Sequence, residues 1–268
     1  MSGARVSREQ LDELHKRYNR REFVHPDPLE FLYRYDSVDD REIVALLASV
    51  LAYGRVLLIL RSVDTVLTAM GTSPASFVAE SSTRTLSRAF PCFKHRFTTG
   101  EELGALLVGV KRVLEEHGSL NSCFKQGIGR RDNTVVPALC LFTSELTGKA
   151  GRSCDFLLPD PANGSACKRL NLFLRWMVRH DDVDPGGWTG VPRSKLVVPL
   201  DTHMYKVGRA VGFTSRKSAD LRTALEITEG FKRIVPRDPV RYDFSLTRLG
   251  IRGEASLEEF LTRIDEAQ

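Results

Sequence analysis

The sequence has 268 residues, enough to bury a large hydrophobic core in one sizeable domain or in two small lobes. Its 39 Lys and Arg against 34 Asp and Glu give a formal charge of +5, which suits a polyanionic partner but does not identify one. The five cysteines include no C-x-x-C pair, so the spacing offers no paired ligands for zinc or an iron–sulfur cluster. We expect reduced thiols and no cofactor.

The N-terminal 21 residues are polar and charged, without the apolar segment of a secretory signal. The longest apolar stretch, residues 43–60, contains Arg55, a charge that a membrane-spanning helix would carry near its centre at considerable cost. We therefore expect a buried helix there, and a cytoplasmic protein that has no membrane partner.

Helical periodicity dominates the chain. An amphipathic start at Leu11 and Leu14 is broken by Pro26 and Pro28. Apolar residues then recur at helical spacing in five segments, at 43–60, 103–114, 135–146, 170–178 and 204–211, separated by breaks rich in Gly, Pro and Asn. Alternating strand patterns are scarce, so the sequence predicts an all-α fold of about ten helices.

Two Pro- and Gly-rich loops flank one short apolar helix, at residues 159–164 (PDPANG) and 181–195 (DDVDPGGWTGVPRSK). His180, Asp181, Asp182 and Asp184 have the composition of a metal cluster but lack a second paired ligand. We expect a solvated loop at these residues and no metal site.

Lys168 falls at the start of the helix that follows the 159–164 loop. The positive end of a helix dipole and partial burial both disfavour a charged amine there. Since an amine must be neutral to act as a nucleophile, Lys168 is a candidate nucleophile. The alternative is an ordinary solvated lysine at a helix start.

Asp201 stands in residues 198–204 (VPLDTHM), directly before a helix whose buried stripe would be Met204, Val207 and Val211. Asp is a favoured N-cap, so capping alone would explain it. Two loop-to-helix junctions can thus present a lysine and a carboxylate, each held by the helix that follows it.

The VPLDTHM segment resembles the catalytic aspartate segment of helix-hairpin-helix DNA glycosylases, the superfamily of endonuclease III and 8-oxoguanine glycosylase. That superfamily places a glycine-bearing hairpin before a catalytic lysine and an Asn three residues after it, as Gly164, Lys168 and Asn171 stand here. The likeness extends more weakly over residues 40–252. The chain also resembles a bacterial family of unknown function placed near this superfamily.

The resemblance implies one glycosylase-like unit over residues 1–268, with one helical lobe at about 41–160 and a second lobe at about 1–40 plus 161–268. Residues 163–167 (NGSAC) replace the usual hairpin with two glycines, so we expect an atypical hairpin. Lys168 and Asp201 stand 33 residues apart (201 − 168), a long separation similar to that of archaeal 8-oxoguanine glycosylases, so the Trp188 loop resembles an insertion. No cysteine follows Cys167, so the C-terminal four-cysteine cluster of endonuclease III is missing.

The function that the resemblance implies is base-excision repair by a glycosylase with AP-lyase activity on damaged double-stranded DNA. An oxidised purine such as 8-oxoguanine is the expected lesion. Lys168 would attack the sugar C1′, and Asp201 would stabilise positive charge and assist proton transfer. We expect a nucleoid-associated monomer that needs no metal.

Further residues are expected at the DNA because they are basic, lie near the junctions that carry Lys168 and Asp201, or stand near the end of the long apolar helix, where they would fill the gap left by the base or touch the opposite base. These are Tyr53, Arg55, Gly164, Asn171, His203, Lys206, Arg209, Arg216 and Lys217. The alternatives are that Tyr53 belongs to the core and that the basic residues form an ordinary solvated face. Residues 90–97 (FPCFKHRF) interleave aromatic and basic side chains as single-strand-binding proteins do, although buried Phe anchors are the commoner cause of such a pattern.

Three other functions remain compatible with the sequence. One is a non-catalytic DNA-binding or repair-scaffold protein of the same fold. Another is a monofunctional glycosylase in which Asp201 activates water. The third is an enzyme that acts on RNA or nucleotides.

Overall fold

The computed structural model describes the side chains of residues 6–148, 154 and 156–249 and the backbone of residues 149 and 150. Its helices are α1 Arg8–Tyr18, α2 Val38–Val50, α3 Val56–Met70, α4 Pro74–Glu80, α5 Thr83–Ser87, α6 Gly100–His117, α7 Leu120–Gln126, α8 Val136–Ala150, α9 Lys168–Val178, α10 Thr202–Ala210, α11 Leu221–Ile234 and α12 Asp243–Arg248. Short 3-10 helices lie at Arg21–Phe23, Pro28–Arg34, Pro161–Asn163 and Arg193–Lys195. The predicted all-α class is confirmed.

The described chain also contains one small antiparallel hairpin, made of β1 Lys94–His95 and β2 Thr98–Thr99. Lys94 pairs with Thr99 and His95 with Thr98, which leaves a two-residue turn. The sequence did not predict this hairpin, because strands of two residues are too short to show an alternating pattern.

Local capping explains where several helices begin. Ser7 and Gln10 form a reciprocal capping box at the start of α1, and Thr99 and Glu102 form another at the start of α6. Asp201 caps α10 through its side chain. Each cap satisfies amide groups that the first helical turn leaves without partners.

Helix α2 lies at the centre of the fold, because all of its residues from 42 to 50 are buried. It packs against α9, α3 and the 3-10 helix at Pro28–Arg34. Elsewhere α6 packs along α8, and α1 packs against α12. Helix α9 therefore starts at the surface with Lys168 and runs into the core.

Buried apolar side chains form a continuous cluster from Val6 to Leu249. Both expected lobes contribute to this cluster, and their division at residues 41 and 161 stays a prediction. Residues 1–5 and 250–268, which that prediction also includes, lie outside the described residues.

The prediction of a solvated loop after α9 is wrong for Asp184, which is 0% exposed. The loop folds back onto α9, where the amide nitrogen of Trp188 donates to the carbonyl oxygen of Met177 at 2.8 Å. The indole Nε1 of Trp188 donates to the buried carboxylate of Glu42 at 2.9 Å. Part of the segment between Lys168 and Asp201 therefore belongs to the core.

Among the described residues, no single helix combines the length and apolarity needed to cross a membrane; α3 and α4 meet that standard only as a pair, and they are bent by 54°.

Candidate active site

A strained turn places Lys168 at the first position of α9. Gly164 has φ +80° and Cys167 has φ +45°, and both lie in the left-handed region that favours glycine. The Cys167 thiol donates to the Pro159 carbonyl at 3.3 Å, and the Gly164 carbonyl accepts from the Leu221 amide at 2.9 Å. A left-handed backbone at a non-glycine residue costs roughly 1–2 kcal/mol. The turn thus keeps glycine-like geometry directly before Lys168 without a glycine there.

Asn171 braces this turn from within α9. Its Nδ2 donates to the Ala166 carbonyl at 3.0 Å, and the residue is 3% exposed. The expected contact of Asn171 with DNA stays a prediction, and the structure places this side chain inside the turn. Its role in the fold is to hold the residues that precede Lys168.

Asp201 holds the start of α10, as its N-cap position predicts. Its Oδ1 accepts from the Met204 amide at 2.8 Å. Met204, Val207 and Val211 are buried, which confirms the predicted stripe. His203 is half-buried, and its Nε2 lies 2.8 Å from the Leu246 carbonyl, a contact that ties α10 to α12. The start of α10, which carries Asp201, is therefore held by its own cap and by α12.

Lys168 and Asp201 line the same cleft, whose volume is about 290 Å³. Neither belongs to an ion pair among the described residues. The other lining residues comprise an apolar set, termed the wall, and a polar set joined by ion pairs, termed the polar end. They are Pro26, Pro28, Ala52, Val56, Ile59, Leu172 and Pro199 on the wall, and Asp27, Arg175, Asp243, Thr247 and Arg248 at the polar end.

A buried ion network forms the polar end of this cleft. Arg175 bridges two carboxylates, with Nε 3.1 Å from Asp184 Oδ1 and Nη1 bonded to Asp243 Oδ2. Arg179, four residues later at the C-cap of α9, also bonds Asp184 and pairs with Asp238 at 3.1 Å. A buried charge is tolerated only when it is paired and hydrogen-bonded in this way.

Asp243 is the least satisfied member of the network. Burial raises the pKa of its carboxyl to about 6; the Arg175 guanidinium opposes the rise, and the nearby charge of Asp201 adds to it. Its Oδ1 has no hydrogen-bond partner within the described part of the chain. The cleft therefore holds, beside Lys168 and Asp201, a buried carboxyl whose pKa lies above its ordinary value.

Sequence reasoning missed Arg175 and Asp243. A signal for Arg175 was present, since it interrupts the apolar run of α9 seven residues, or two helical turns, after Lys168. Asp243 gave no local signal, because it lies 68 residues from its partner Arg175 in the chain.

The other expected DNA-contacting residues are spread over the surface. Lys206, Arg209 and Lys217 are exposed. Arg216 is half-buried and engaged, since its Nη2 pairs with Asp220 at 2.7 Å and its Nε donates to Thr223 at 3.0 Å. Of these basic residues, the three exposed ones have charges available to a phosphate backbone.

Tyr53 and Arg55 lie between α2 and α3, beside the cleft. Tyr53 is half-buried, and its hydroxyl lies 2.7 Å from both the His95 carbonyl and the Thr98 hydroxyl of the β-hairpin. Arg55 is exposed and precedes α3. Tyr53 thus anchors the hairpin, whereas Arg55 is accessible.

A larger cavity of about 1090 Å³ lies between α10 and α11 and includes Arg209. It is lined by charges of both signs and contains neither Lys168 nor Asp201, so we place the chemistry in the smaller cleft.

Separately, ligand atoms of Glu116, His117 and Glu145 lie within 4.8 Å of one another, a spacing suited to a metal ion but common for acidic groups without one.

The fold and this cleft define an all-helical protein with a lysine and a carboxylate presented at two helix starts. The chain matches the family described as "Protein of unknown function (DUF2400)" over residues 27–252 and belongs to that family. The comparisons with curated proteins and with solved structures gave no match.

Proposed function

We propose that the protein is a DNA glycosylase with AP-lyase activity. The observation that carries the proposal is that Lys168 and Asp201 line one cleft despite their separation in sequence. Displacement at a sugar carbon requires a nucleophile and a carboxylate that line the same space. The resemblance of the VPLDTHM and Lys168 segments to helix-hairpin-helix glycosylases supports the same reaction.

In the proposed reaction, the neutral amine of Lys168 attacks C1′ of the damaged nucleotide while the C1′–N bond to the base breaks. The departing base takes the bonding electron pair and then a proton. Asp201, as a carboxylate, stabilises the positive charge that develops on the sugar. The amine nitrogen supplies one proton to the base; the C1′–O4′ bond then breaks, O4′ takes its electron pair and the second amine proton, and C1′ and nitrogen form an imine. Loss of a C2′ proton then breaks the C3′–O bond and expels the 3′-phosphate by β-elimination.

The cleft suits a single flipped base. Its volume of about 290 Å³ lies just below the range for ligand pockets, about 300–1,000 Å³. Apolar residues such as Val56, Ile59 and Leu172 offer a wall for a ring face, and the polar end offers Arg248 and Thr247 for its edge. A base inside a duplex must leave the stack before it can reach such a site.

Backbone amides near Lys168 offer a place for a phosphate. The N-cap of α9, Cys167, makes no side-chain hydrogen bond to the first turn, so amides there keep their positive field. Exposed Lys206, Arg209 and Lys217 add positive charge on and beyond α10. We propose that these groups hold double-stranded DNA, consistent with association with the nucleoid.

An oxidised purine such as 8-oxoguanine is the proposed lesion. This choice rests on the VPLDTHM resemblance and on the long separation between Lys168 and Asp201. The test is borohydride trapping of the purified protein on otherwise identical duplexes that carry 8-oxoguanine, uracil, hypoxanthine or an abasic site. Borohydride reduces the imine to a stable covalent adduct.

Three variants make the trapping specific. Lys168→Arg keeps the positive charge but cannot form the imine, so DNA binding is retained while the adduct is lost. Asp201→Asn removes the carboxylate and preserves a good N-cap. Lys16→Ala, an exposed lysine on α1, is the matched control and should leave the adduct unchanged.

An adduct with one lesion that Lys168→Arg abolishes supports the proposal and names the substrate. Base release without any adduct would move the reaction to water activated by Asp201. Binding to duplex DNA with neither adduct nor base release, on every duplex, would overturn the proposal in favour of a non-catalytic DNA-binding protein.

A further inference from the structure

The β1–β2 hairpin presents an aromatic ring to solvent at its tip. The two turn residues are Arg96 and Phe97, and Phe97 is 68% exposed, the highest value among the large exposed apolar side chains of the described residues. Arg96 has φ +53°, a left-handed conformation that is uncommon for a residue with a side chain. The surrounding structure therefore has to impose this turn.

Several contacts fix the hairpin to the loop between α2 and α3. The Tyr53 hydroxyl bonds both of its strands, and His95 Nε2 lies 3.0 Å from the Tyr53 carbonyl. The Nδ1 of the same histidine lies 2.8 Å from the Ser62 hydroxyl of α3. Phe97 is thus held outward on a rigid support instead of on a free loop.

Phe97 belongs to a row of three rings, which we term the aromatic patch: Tyr53, Phe97 and Phe156. The Phe97 and Phe156 centroids are 5.9 Å apart, and those of Phe156 and Tyr53 are 5.2 Å apart. Phe156 is 42% exposed. The sequence pattern at residues 90–97 therefore ends in an exposed aromatic side chain, while its first member, Phe90, is buried.

Two guanidinium groups accompany these rings. Arg96 lies 5.4 Å from the Phe97 centroid, and Arg169 lies 4.9 Å from that of Phe156. Gly54 permits the first contact, because a Cβ there would lie 2.8 Å from Arg96 Cδ. Aromatic rings beside cations match a nucleotide, which offers a flat π face and a negative phosphate.

The aromatic patch adjoins the cleft through the chain itself. Tyr53 directly follows Ala52, and Arg169 directly follows Lys168; both Ala52 and Lys168 line the cleft. The Arg169 Nη1 also donates to the Val50 carbonyl at 2.7 Å, which joins the start of α9 to the end of α2. A DNA strand that delivered one nucleotide to the cleft would therefore pass beside this patch.

We propose that the aromatic patch is a stacking site for an unpaired DNA base, with Phe97 as its principal ring. This inference rests on the proposed function only in taking DNA as the partner. Stacking on an aromatic side chain does not depend on base identity, so the site recognises the absence of pairing and not a lesion. It gives the protein a preference for DNA that is already opened next to the cleft.

The test is fluorescence anisotropy with the full chain at one fixed salt concentration, on two labelled duplexes that differ only by one bulged thymidine. Neither duplex contains a lesion. Phe97→Ala should weaken binding to the bulged duplex by roughly 5- to 150-fold and binding to the paired duplex by no more than about twofold. Phe97→Trp should restore the preference, because it restores a stacking ring.

Leu141→Ala is the matched control, since Leu141 is an exposed apolar residue on α8, at 38% exposure. It should bind both duplexes like the wild type. Because Phe97 is exposed, its substitution should leave the fold intact, which circular dichroism would verify.

Equal effects of Phe97→Ala on the two duplexes, or no effect on either, would overturn the inference. So would sedimentation showing that the protein self-associates through Phe97, which would make the patch a protein interface. The outcome of this experiment is independent of the trapping assay. A bulge preference lost in Phe97→Ala supports the stacking site even if no adduct forms. An adduct with no Phe97-dependent preference refutes the stacking site alone.

Discussion

Replacing Arg175 by methionine should destabilise the protein by about 3–5 kcal/mol near neutral pH, the usual cost of removing one partner from a buried ion pair. Methionine keeps an unbranched chain of similar length but has no charge. Arg175 bridges Asp184 and Asp243, and all three side chains are at most 4% exposed. The substitution leaves both carboxylates without this cation, although Asp184 keeps its bond to Arg179.

The loss should also depend on pH, in a direction that the structure fixes. Burial raises the pKa of Asp184 and raises that of Asp243 to about 6, and Arg175 opposes both rises. Without Arg175, the folded protein keeps these carboxyls protonated to higher pH, whereas the unfolded chain releases the protons above about pH 4. Each carboxyl held protonated then costs about 1.4 kcal/mol of folding stability per pH unit as the pH rises.

Urea unfolding followed by circular dichroism at pH 5, 6.5 and 8 measures this loss. Adding Asp243→Asn to Arg175→Met should recover part of the stability at pH 8, because one unpaired carboxyl is removed. Arg34→Met is the control, since the Arg34–Asp64 pair at 2.8 Å is about half exposed on both sides and should contribute about 1 kcal/mol or less. A loss from Arg175→Met below about 1 kcal/mol at pH 8, or one that does not grow with pH, would refute the reasoning.

Three further predictions concern single side chains. Asp201→Asn should leave the urea midpoint nearly unchanged while base release is lost, whereas Asp201→Ala should also cost about 1 kcal/mol, because the bond to the Met204 amide disappears. Burial, with the charge of Arg241, lowers the pKa of His15 to about 4, so stability should fall as the pH drops from about 6.5 to 4; thermal melts of His15→Gln should lack this part of the decline. Trp188→Phe removes a donor to buried Glu42, and chemical denaturation should show a loss of about 1–3 kcal/mol; an unchanged midpoint would contradict that hydrogen bond.

The starts of α9 and α10 could be predicted because their signals are local. A Pro- and Gly-rich loop ends just before Lys168, and Asp201 is followed by apolar residues at helical spacing. A cap or a helix dipole acts within one turn, so the few residues around each junction determine it. The shared cleft was an expectation from the resemblance, and it required the fold to bring the two junctions together.

The polar end of the cleft could not be predicted, because its energetics depend on residues distant in sequence. The Asp184 carboxylate is stable at 0% exposure only because Arg175 and Arg179 both reach it. A run of acidic residues in a Pro- and Gly-rich loop gives the same local pattern whether it is solvated or buried. Cys167 also adopts a left-handed backbone, which a residue with a side chain disfavours. Contacts between its turn and other parts of the chain impose this conformation.

Helix α9 connects the locally determined junction at Lys168 with the ion network, which depends on residues distant in sequence. Lys168, Leu172 and Arg175 follow one another at spacings of four and three residues, so they lie on one face of the helix and all reach the cleft. The strained turn at Cys167 fixes one end of this face, and the buried ion network fixes the other. Buried charge and backbone strain both reduce folding stability, and here both restrict where the Lys168 amine can lie. A reacting group must be held within about 0.5 Å of its productive position, and the proposed attack of Lys168 on C1′ would require such restriction.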